Sequence, residues 1–158
     1  MLKRLTIGTL KLVLYLLFVA VAVYYSPKIL SRALNTPYPL ATITSGSMWP
    51  ALKTNDLILM KGANGADVAV GEIIIYKNSQ GFTIHRLIRK ENPDASVGGA
   101  AKLITRGDAN NVDDAPITES DVIGKLVTIR GKPFRIPHLG LIARNLGPKL
   151  QELQNIEK

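Results

Sequence analysis

The spacing of hydrophobic positions divides the chain into three parts. Residues 5–25 are almost wholly apolar. As a helix they would extend about 30 Å, the thickness of a bilayer core, and they lack the polar face of a helix packed on a soluble core. From residue 40 to 136, apolar residues occur in short runs between turns. The last part repeats Leu139, Ile142, Leu146, Leu150 and Leu153 at steps of three and four, which predicts one apolar helix face.

These patterns predict an N-terminal membrane anchor at 1–32, a β-rich domain at 33–136 and an amphipathic helical tail at 137–158. The transmembrane segment is expected at about 5–25. A cleaved signal peptide is the main alternative, because Lys3 and Arg4 precede the apolar run and residues 20–22 are small. The run continues beyond that cleavage motif to Tyr25, which favours the anchor. Basic residues flank both ends, so charge does not fix the orientation.

Residues 26–39 contain Pro27, Pro37 and Pro39. Three prolines disfavour a continuing helix, so we expect a short connector here. Chemistry just beyond this connector would take place close to the bilayer surface.

The middle part reads as a series of short strands. A turn precedes the apolar run at 56–60, Gly71 precedes the run at 72–76, and residues 78–81 form a hairpin-like link to the strand at 82–88. Further runs lie at 103–105 and 122–130. With no long helical periodicity between 40 and 136, the pattern predicts a mainly β domain, an antiparallel sheet of barrel or sandwich kind.

Charge and composition exclude several classes. The net charge is +8, yet residues 1–32 carry five basic side chains and no acidic one, while the remaining 15 basic and 12 acidic residues nearly balance. A clustered basic stripe with stacking aromatics is missing, so nucleic acid is not an expected partner. Without cysteine, and with only His85 and His138, neither a metal site nor a cofactor is predicted.

Three weak signals together suggest nucleophilic catalysis. Ser47 lies in a Ser/Gly/Pro turn at 44–50, His85 lies in the middle of a predicted strand, and the loop 105–114 carries three carboxylates. A neutral imidazole can accept a hydroxyl proton near pH 7, and a carboxylate can orient that imidazole. Each signal also has a plain structural explanation: a polar turn, a half-buried histidine, and a solvated acidic loop. A calcium loop is disfavoured because the required Gly and terminal Glu are not at their positions.

Several linked motifs resemble the signature of type I signal peptidases, peptidase family S26. The residues at 45–50, 56–59 and 71–76 are similar to the family's first boxes, and Val122 to Val127 resembles a later strand. Ile84-His85-Arg86 resembles the archaeal and endoplasmic-reticulum branch, which has His where typical bacterial members have the catalytic Lys. Residues 106–114 match that branch's acidic box. The resemblance covers about residues 5–131.

The resemblance implies a role for each matching residue. Ser47 would be the nucleophile, His85 the general base, and Asp114 the orienting acid. Asp108 is the alternative acid and could instead hold the loop. Ser45 would help to form the oxyanion hole with the backbone N–H of Ser47.

The resemblance also implies a mainly β fold on a membrane anchor, with the catalytic domain on the extracytoplasmic side of a cell membrane. Its substrates would be exported preproteins with small residues at −1 and −3, its partners would include the lipid bilayer and unidentified accessory subunits, and it would need no cofactor. A histidine base predicts activity that declines below about pH 6.5.

The sequence departs from the family pattern in two ways: Trp49 stands where many members have another residue type, and the second membrane span of many members is missing. A membrane-tethered β domain that binds partners without catalysis is the alternative from another class.

Overall fold

The N-terminal helix is longer than the sequence pattern predicts. The computed structural model describes residues 2–79, 81–91, 101–142, 144 and 145. Helix α1 covers Leu2–Ala33. Within the described residues it is the one helix long and apolar enough to cross a membrane, over Ile7–Ala33 with a mean hydropathy of 2.2. The expected connector at 26–39 is therefore wrong as far as Ala33.

A serine hydroxyl explains why the helix continues through Pro27. Proline has no N–H to donate to the carbonyl four residues earlier, which is that of Val23. The Oγ of Ser26 donates to this carbonyl over 3.0 Å. The lost backbone bond is thus replaced locally, as happens in apolar helices that contain Ser or Thr beside Pro.

The end of α1 is fixed to the sheet domain. Asn35 has φ 49°, a left-handed conformation that asparagine tolerates. The N–H groups of Asn35 and Thr36 reach back to the carbonyls of Arg32 and Ser31, at 3.3 and 3.1 Å, which closes the helix in a Schellman motif. The N–H of Gly62 then donates to the carbonyl of Leu34 over 2.8 Å. A Cβ on Gly62 would lie 1.9 Å from the carbonyl oxygen of Asn35, so only glycine permits this approach.

The rest of the described chain is mainly β-sheet, which confirms the predicted class. Its strands are β1 (Leu40–Thr42), β2 (Leu57–Lys61), β3 (Ile73–Asn78), β4 (Gly81–Glu91), β5 (Lys102–Arg106), β6 (Ile117–Thr118), β7 (Val122–Leu126), β8 (Thr128–Ile129), β9 (Lys132–Pro133) and β10 (Arg135–Ile136). Single 3-10 turns at Gly65–Asp67 and Glu119–Asp121 interrupt them.

All strand pairs in this domain are antiparallel. The main sheet has the order β1-β2-β7-β3-β4-β5-β6, with β10 also on β2, and β8 and β9 form a separate hairpin. The hairpin expected at 78–81 joins β3 to β4, with Asn78 opposite Gly81. The run predicted at 122–130 is divided between β7 and β8.

Hydrophobic residues pack on both faces of the central strand β3. One cluster contains Ile73 with Met48, Leu52 and Ile58, and the other contains Ile74 with its neighbours. Adjacent residues of a strand point to opposite faces, so Ile73 and Ile74 belong to different clusters. This double burial explains the unbroken apolar run of β3, and it makes β3 a rigid base for the neighbouring strand β4.

The C-terminal part is described only at its start. Residues 139–142, 144 and 145 are helical. The N–H of Gly140 donates to the carbonyl of Asn55 over 3.0 Å, and a Cβ at Gly140 would lie 2.5 Å from Thr42. This first turn therefore packs on the β domain. The rest of the predicted tail at 137–158 lies outside the described residues, and the three-part domain division stays a prediction.

Candidate active site

A buried methionine fixes the turn that carries Ser47. Met48 is 2% exposed and packs in the first core cluster. The turn is closed by bonds from the Trp49 N–H to the Gly46 carbonyl and from the Leu52 N–H to the Met48 carbonyl, at 3.0 and 2.9 Å. Because Met48 points into the core, the adjacent Ser47 lies at the surface of the domain, half-buried, while Trp49 is exposed.

The acidic loop packs directly against the backbone of Ser47. The carbonyl of Ser47 accepts a hydrogen bond from the N–H of Ala109 over 2.8 Å. A Cβ on Gly107 would lie 2.6 Å from the same carbonyl oxygen, too close for any other residue. A Cβ on Gly46 would have no described heavy atom within 4 Å. The sequence pattern singles out Gly46, but the glycine that close packing requires here is Gly107.

His85 connects Ser47 to the acidic loop. It lies on β4 opposite Ile74 and is 9% exposed. Its Nε2 is 3.0 Å from Ser47 Oγ, and its Nδ1 is 2.6 Å from Asp114 Oδ2. A carboxylate can only accept, so we assign the proton of the neutral imidazole to Nδ1, which leaves Nε2 free to accept the Ser47 hydroxyl proton.

The Asp114 carboxylate accepts two further hydrogen bonds from buried hydroxyls. Thr105 Oγ1 donates to Asp114 Oδ2 over 2.7 Å, and the Tyr76 hydroxyl donates to the same oxygen over 3.2 Å. Thr105 and Tyr76 are 0% and 3% exposed. The backbone N–H of Asp114 donates to the Thr105 carbonyl over 2.8 Å, which aligns the end of the loop with β5.

Burial raises the pKa of the Tyr76 phenol, and the negative charge of Asp114 raises it further against the opposing bond from Thr105. Tyr76 therefore remains a protonated donor over the range in which a histidine titrates.

The other two carboxylates of the loop have arginine partners. Asp108 forms a bidentate pair with Arg86, with nitrogen–oxygen distances of 2.8 and 2.6 Å, and Arg86 also donates to the Gly71 carbonyl over 2.7 Å. The hydrogen bond to Asp108 raises the pKa of the Arg86 guanidinium. Asp113 pairs with Arg89. The structure thus brings Asp114 to His85 and holds Asp108 in a separate ion pair.

Ser45 lies beside the Ser47 hydroxyl. The two Oγ atoms are 3.1 Å apart, and the Ser45 side chain is exposed to solvent. A hydroxyl at this distance can donate to an oxygen that forms next to Ser47 Oγ. The geometry is therefore compatible with the predicted position of Ser45 beside Ser47 Oγ.

An open groove of about 460 Å³ leads to these side chains. Its lining comprises residues 41–45, 47, 48 and 82–85. β1 lies at one edge of the described sheet, and β4 pairs with β5 only from Arg86 onward. Backbone on both sides of the groove therefore lies at strand edges, next to Ser47 and His85.

The sequence analysis missed Tyr76 and Thr105 as members of the site. Tyr76 ends the run Ile73-Ile74-Ile75-Tyr76, and a buried tyrosine hydroxyl needs a hydrogen-bond partner. That requirement is the one signal in the sequence that points to a polar contact at this position. Thr105 carries no comparable signal, because threonine is common in strands.

Among the described residues, no three histidine, aspartate or glutamate side chains come together as a metal site would require. His138, the second histidine, is exposed and has φ 62°, and it lies in the turn after β10.

Comparison with known proteins finds several relatives that carry the same name. No family model matches the chain. It is 38% identical over 109 residues to the signal peptidase complex catalytic subunit SEC11 of Metarhizium acridum, covering 62% of this chain and 61% of the relative. It is 37% identical over 109 residues to the Sclerotinia sclerotiorum subunit of that name, with the same coverage. The Pyricularia oryzae subunit is 33% identical over 124 residues, 72% of this chain and 66% of the relative.

The chain thus spans slightly less than two thirds of the length of these relatives. The resemblance noted from the motifs is confirmed by their names. The chain is a homologue of the catalytic subunits of the signal peptidase complex, the endoplasmic-reticulum type of signal peptidase in peptidase family S26.

Proposed function

We propose that this chain is a membrane-bound serine endopeptidase that removes signal peptides from exported preproteins. Ser47 is the nucleophile, His85 the general base and Asp114 the orienting acid. The observation that carries the proposal is the continuous chain of contacts from Ser47 Oγ to His85 Nε2, 3.0 Å, and from His85 Nδ1 to Asp114 Oδ2, 2.6 Å. The first distance is within the reach that proton transfer requires, and the second is that of a hydrogen bond to a charged acceptor. Names of the relatives support the same activity.

In the first step, Ser47 Oγ attacks the scissile carbonyl carbon while its proton passes to His85 Nε2. The imidazolium that forms is stabilised by the Asp114 carboxylate. Collapse of the tetrahedral intermediate breaks the C–N bond, and Nε2 gives its proton to the leaving amine, the new N-terminus of the mature protein. Water then attacks the acyl-enzyme with Nε2 as base, which releases the signal peptide and restores the Ser47 hydroxyl.

The developing oxyanion needs donors beside Ser47 Oγ. The Ser45 hydroxyl, 3.1 Å from Ser47 Oγ, and the backbone N–H of Ser47 would supply them. One such donor lowers the barrier by about 3 kcal/mol.

The groove supports a peptide substrate in extended conformation. A peptide can add as a strand to free sheet edges, and both sides of the groove, at 41–45 and 82–85, present such edges. Ile43 and Met48, which are nearly fully buried, contribute apolar side chains to this lining, which suits the small side chains expected at −1 and −3 of the cleavage site.

Location and partners follow from the same proposal. Helix α1 anchors the chain in a cell membrane as a single span, with the sheet domain on the extracytoplasmic side, where exported preproteins emerge. The bilayer is then a partner through the apolar surface of α1, whose side chains are exposed over residues 7–29. The word "complex" in the names of the relatives suggests accessory membrane subunits.

The test is cleavage of a radiolabelled preprotein by the purified full-length chain in proteoliposomes. Ser47→Ala should reduce the rate by at least about 10³-fold, because no nucleophile remains. Ser120→Ala, at an exposed serine in a remote 3-10 turn, is the matched control and should cleave like the wild type. Equal turnover by Ser47→Ala with an unchanged thermal midpoint would refute the proposal.

A further inference from the structure

Three donors converge on one oxygen of Asp114. Besides His85 Nδ1 at 2.6 Å, Thr105 Oγ1 lies 2.7 Å and the Tyr76 hydroxyl 3.2 Å from Asp114 Oδ2. The register of the strands explains this convergence. Thr105 on β5 lies opposite Leu87, which is two residues from His85 and on the same face of β4. Tyr76 on β3 lies opposite Thr83 of β4. Cross-strand neighbours on one face reach the same point.

We propose that Thr105 and Tyr76 are positioning residues that hold the Asp114 carboxylate against His85 Nδ1 during the reaction. This inference rests on the proposed function. It concerns two hydroxyl groups whose residues are not among those that line the groove. They act through Asp114, because they fix the rotation of its carboxylate.

The proton count supports this role. Thr105 has one hydroxyl proton and two possible acceptors, Asp114 Oδ2 at 2.7 Å and the Tyr76 oxygen at 3.3 Å. The shorter contact, to an ionised group, is the stronger hydrogen bond, so Thr105 donates to Asp114. Tyr76 then donates its own proton to the same oxygen, and burial keeps its phenol protonated.

The position of Asp114 explains why such support matters. Its side chain is 23% exposed, so without the two hydroxyls water competes for the carboxylate and the side chain can turn towards solvent. Both hydroxyls are buried, and if Asp114 turned away they would lose their shared acceptor, so that Thr105 would keep only its longer contact of 3.3 Å to the Tyr76 oxygen. The arrangement therefore favours one carboxylate rotamer, the one that faces His85.

Two substitutions at Thr105 separate positioning from packing. Thr105→Val keeps the shape and removes the hydroxyl, whereas Thr105→Ser keeps the hydroxyl and removes a methyl group. We expect kcat to fall about 10- to 100-fold in Thr105→Val with KM within about twofold, and to stay within about threefold in Thr105→Ser. Tyr76→Phe should lower kcat about 3- to 10-fold, since its bond is longer.

The reverse order at Thr105, with Val active and Ser impaired, would mean that the residue only packs, and would overturn the inference. So would a loss that appears in KM alone. Thr128→Val on exposed β8 and Tyr38→Phe in the segment before β1 are matched controls that should cleave like the wild type. Thermal midpoints of all variants correct the rates for the folded fraction.

A second readout does not depend on preprotein cleavage. The sequence has two histidines, so nitrogen-15 labelling of histidine gives a simple proton spectrum, and His85→Ala assigns the downfield Nδ1–H signal of the bond to Asp114. We expect this signal to broaden or vanish in the Thr105→Val/Tyr76→Phe double variant and to persist in Thr105→Ser. Its survival in the double variant would overturn the inference. A wild type that shows the signal but does not cleave preprotein would instead refute the proposed function alone.

Discussion

The two ends of the acidic loop use the same chemical group for different purposes. Asp108 at its start binds Arg86, and Asp114 at its end binds His85. His85 and Arg86 are adjacent on β4 and therefore point to opposite faces of the sheet. Asp108 and Asp114 thus meet side chains on opposite faces of β4.

The difference between these pairs lies in the partner. Arg86 carries a permanent charge, and its bidentate contact with Asp108 holds the start of the loop against β4. His85 can gain and lose a proton, and its pair with Asp114 can respond to a reaction at Ser47. A stable ion pair next to a titratable one allows the loop to hold its shape while the charge of the imidazole changes.

The largest effect is expected at the imidazole itself. His85→Ala should reduce preprotein cleavage about 10⁴-fold or more, because no base then remains to accept the Ser47 hydroxyl proton. His138→Asn is the matched control, since asparagine tolerates the left-handed backbone of that exposed position. Initial rates in proteoliposomes measure both variants. Loss of activity in the control and not in His85→Ala would mean that the wrong histidine has been assigned.

The comparison of the two carboxylates is tested by the same substitution at each end. Asp114→Asn should lower kcat about 10³- to 10⁴-fold with little change in thermal midpoint, because an amide cannot stabilise an imidazolium. Asp108→Asn should destabilise the fold by about 1–3 kcal/mol, because it breaks a partly buried ion pair, while the folded fraction keeps its rate within about tenfold. Denaturant unfolding and single-turnover rates separate the two. If Asp108 were the acid that orients His85, the results of the two substitutions would be exchanged.

Glycine substitutions probe how closely the loop approaches Ser47. Gly107→Ala brings a methyl group to 2.6 Å from the Ser47 carbonyl oxygen, so we expect a loss of about 1–3 kcal/mol in the free energy of unfolding. Gly46→Ala has open space around the added group and should unfold like the wild type. Urea titrations of both variants provide the measurement. Equal destabilisation at the two positions would contradict the close packing of loop and turn.

The smallest effect concerns an ion pair whose two residues do not line the groove. Lys125 Nζ lies 2.8 Å from Glu72. Burial raises the pKa of Glu72, but the bond and charge of Lys125 and the N–H of Ala69 outweigh it and lower this pKa below its usual 4.5. A lowered carboxyl pKa in the folded state contributes stability above about pH 4.5 that is lost as the pH falls through the folded-state pKa.

Lys125→Met should therefore reduce stability at pH 7 by less than about 1 kcal/mol, since the pair is partly exposed. Its deficit relative to the wild type should shrink towards pH 3. Lys132→Met, at an exposed lysine on β9, controls for the loss of a positive charge. A deficit that stays constant or grows on acidification would show that the pair does not act as described. Thermal midpoints at pH 7 and pH 3 make the test.

Regular features of the fold could be predicted from the sequence because they follow from local pattern. The apolar run of α1, the strands around Ile58 and Ile74, and the hairpin at Asn78 and Gly81 all appear where periodicity and turn residues indicate them. The pairing of His85 with Ser47 could be inferred only from the combined motifs, because a separation of 38 positions along the chain says nothing about their distance in space.

Other features depend on contacts that local pattern does not contain. The helix passes Pro27 because the neighbouring Ser26 hydroxyl supplies the missing bond, and proline statistics alone indicate a break. Which of Asp108 and Asp114 reaches His85 depends on the register of β4 against β5. Thr105 and Tyr76 meet at Asp114 only through that register.

For the proposed peptidase activity, the closure of α1 at Asn35 and the bond from Gly62 to Leu34 have a consequence for where a preprotein would be cut. A helix that is hydrogen-bonded to the sheet domain at its end, and continuous through its proline, is a rigid spacer and not a flexible linker. When this helix lies in a bilayer, Ser47 is held at a set height above the lipid. A peptide bond would then be selected by its depth as well as by its side chains, and lengthening the segment between Ala33 and Leu40 would move the point of cleavage.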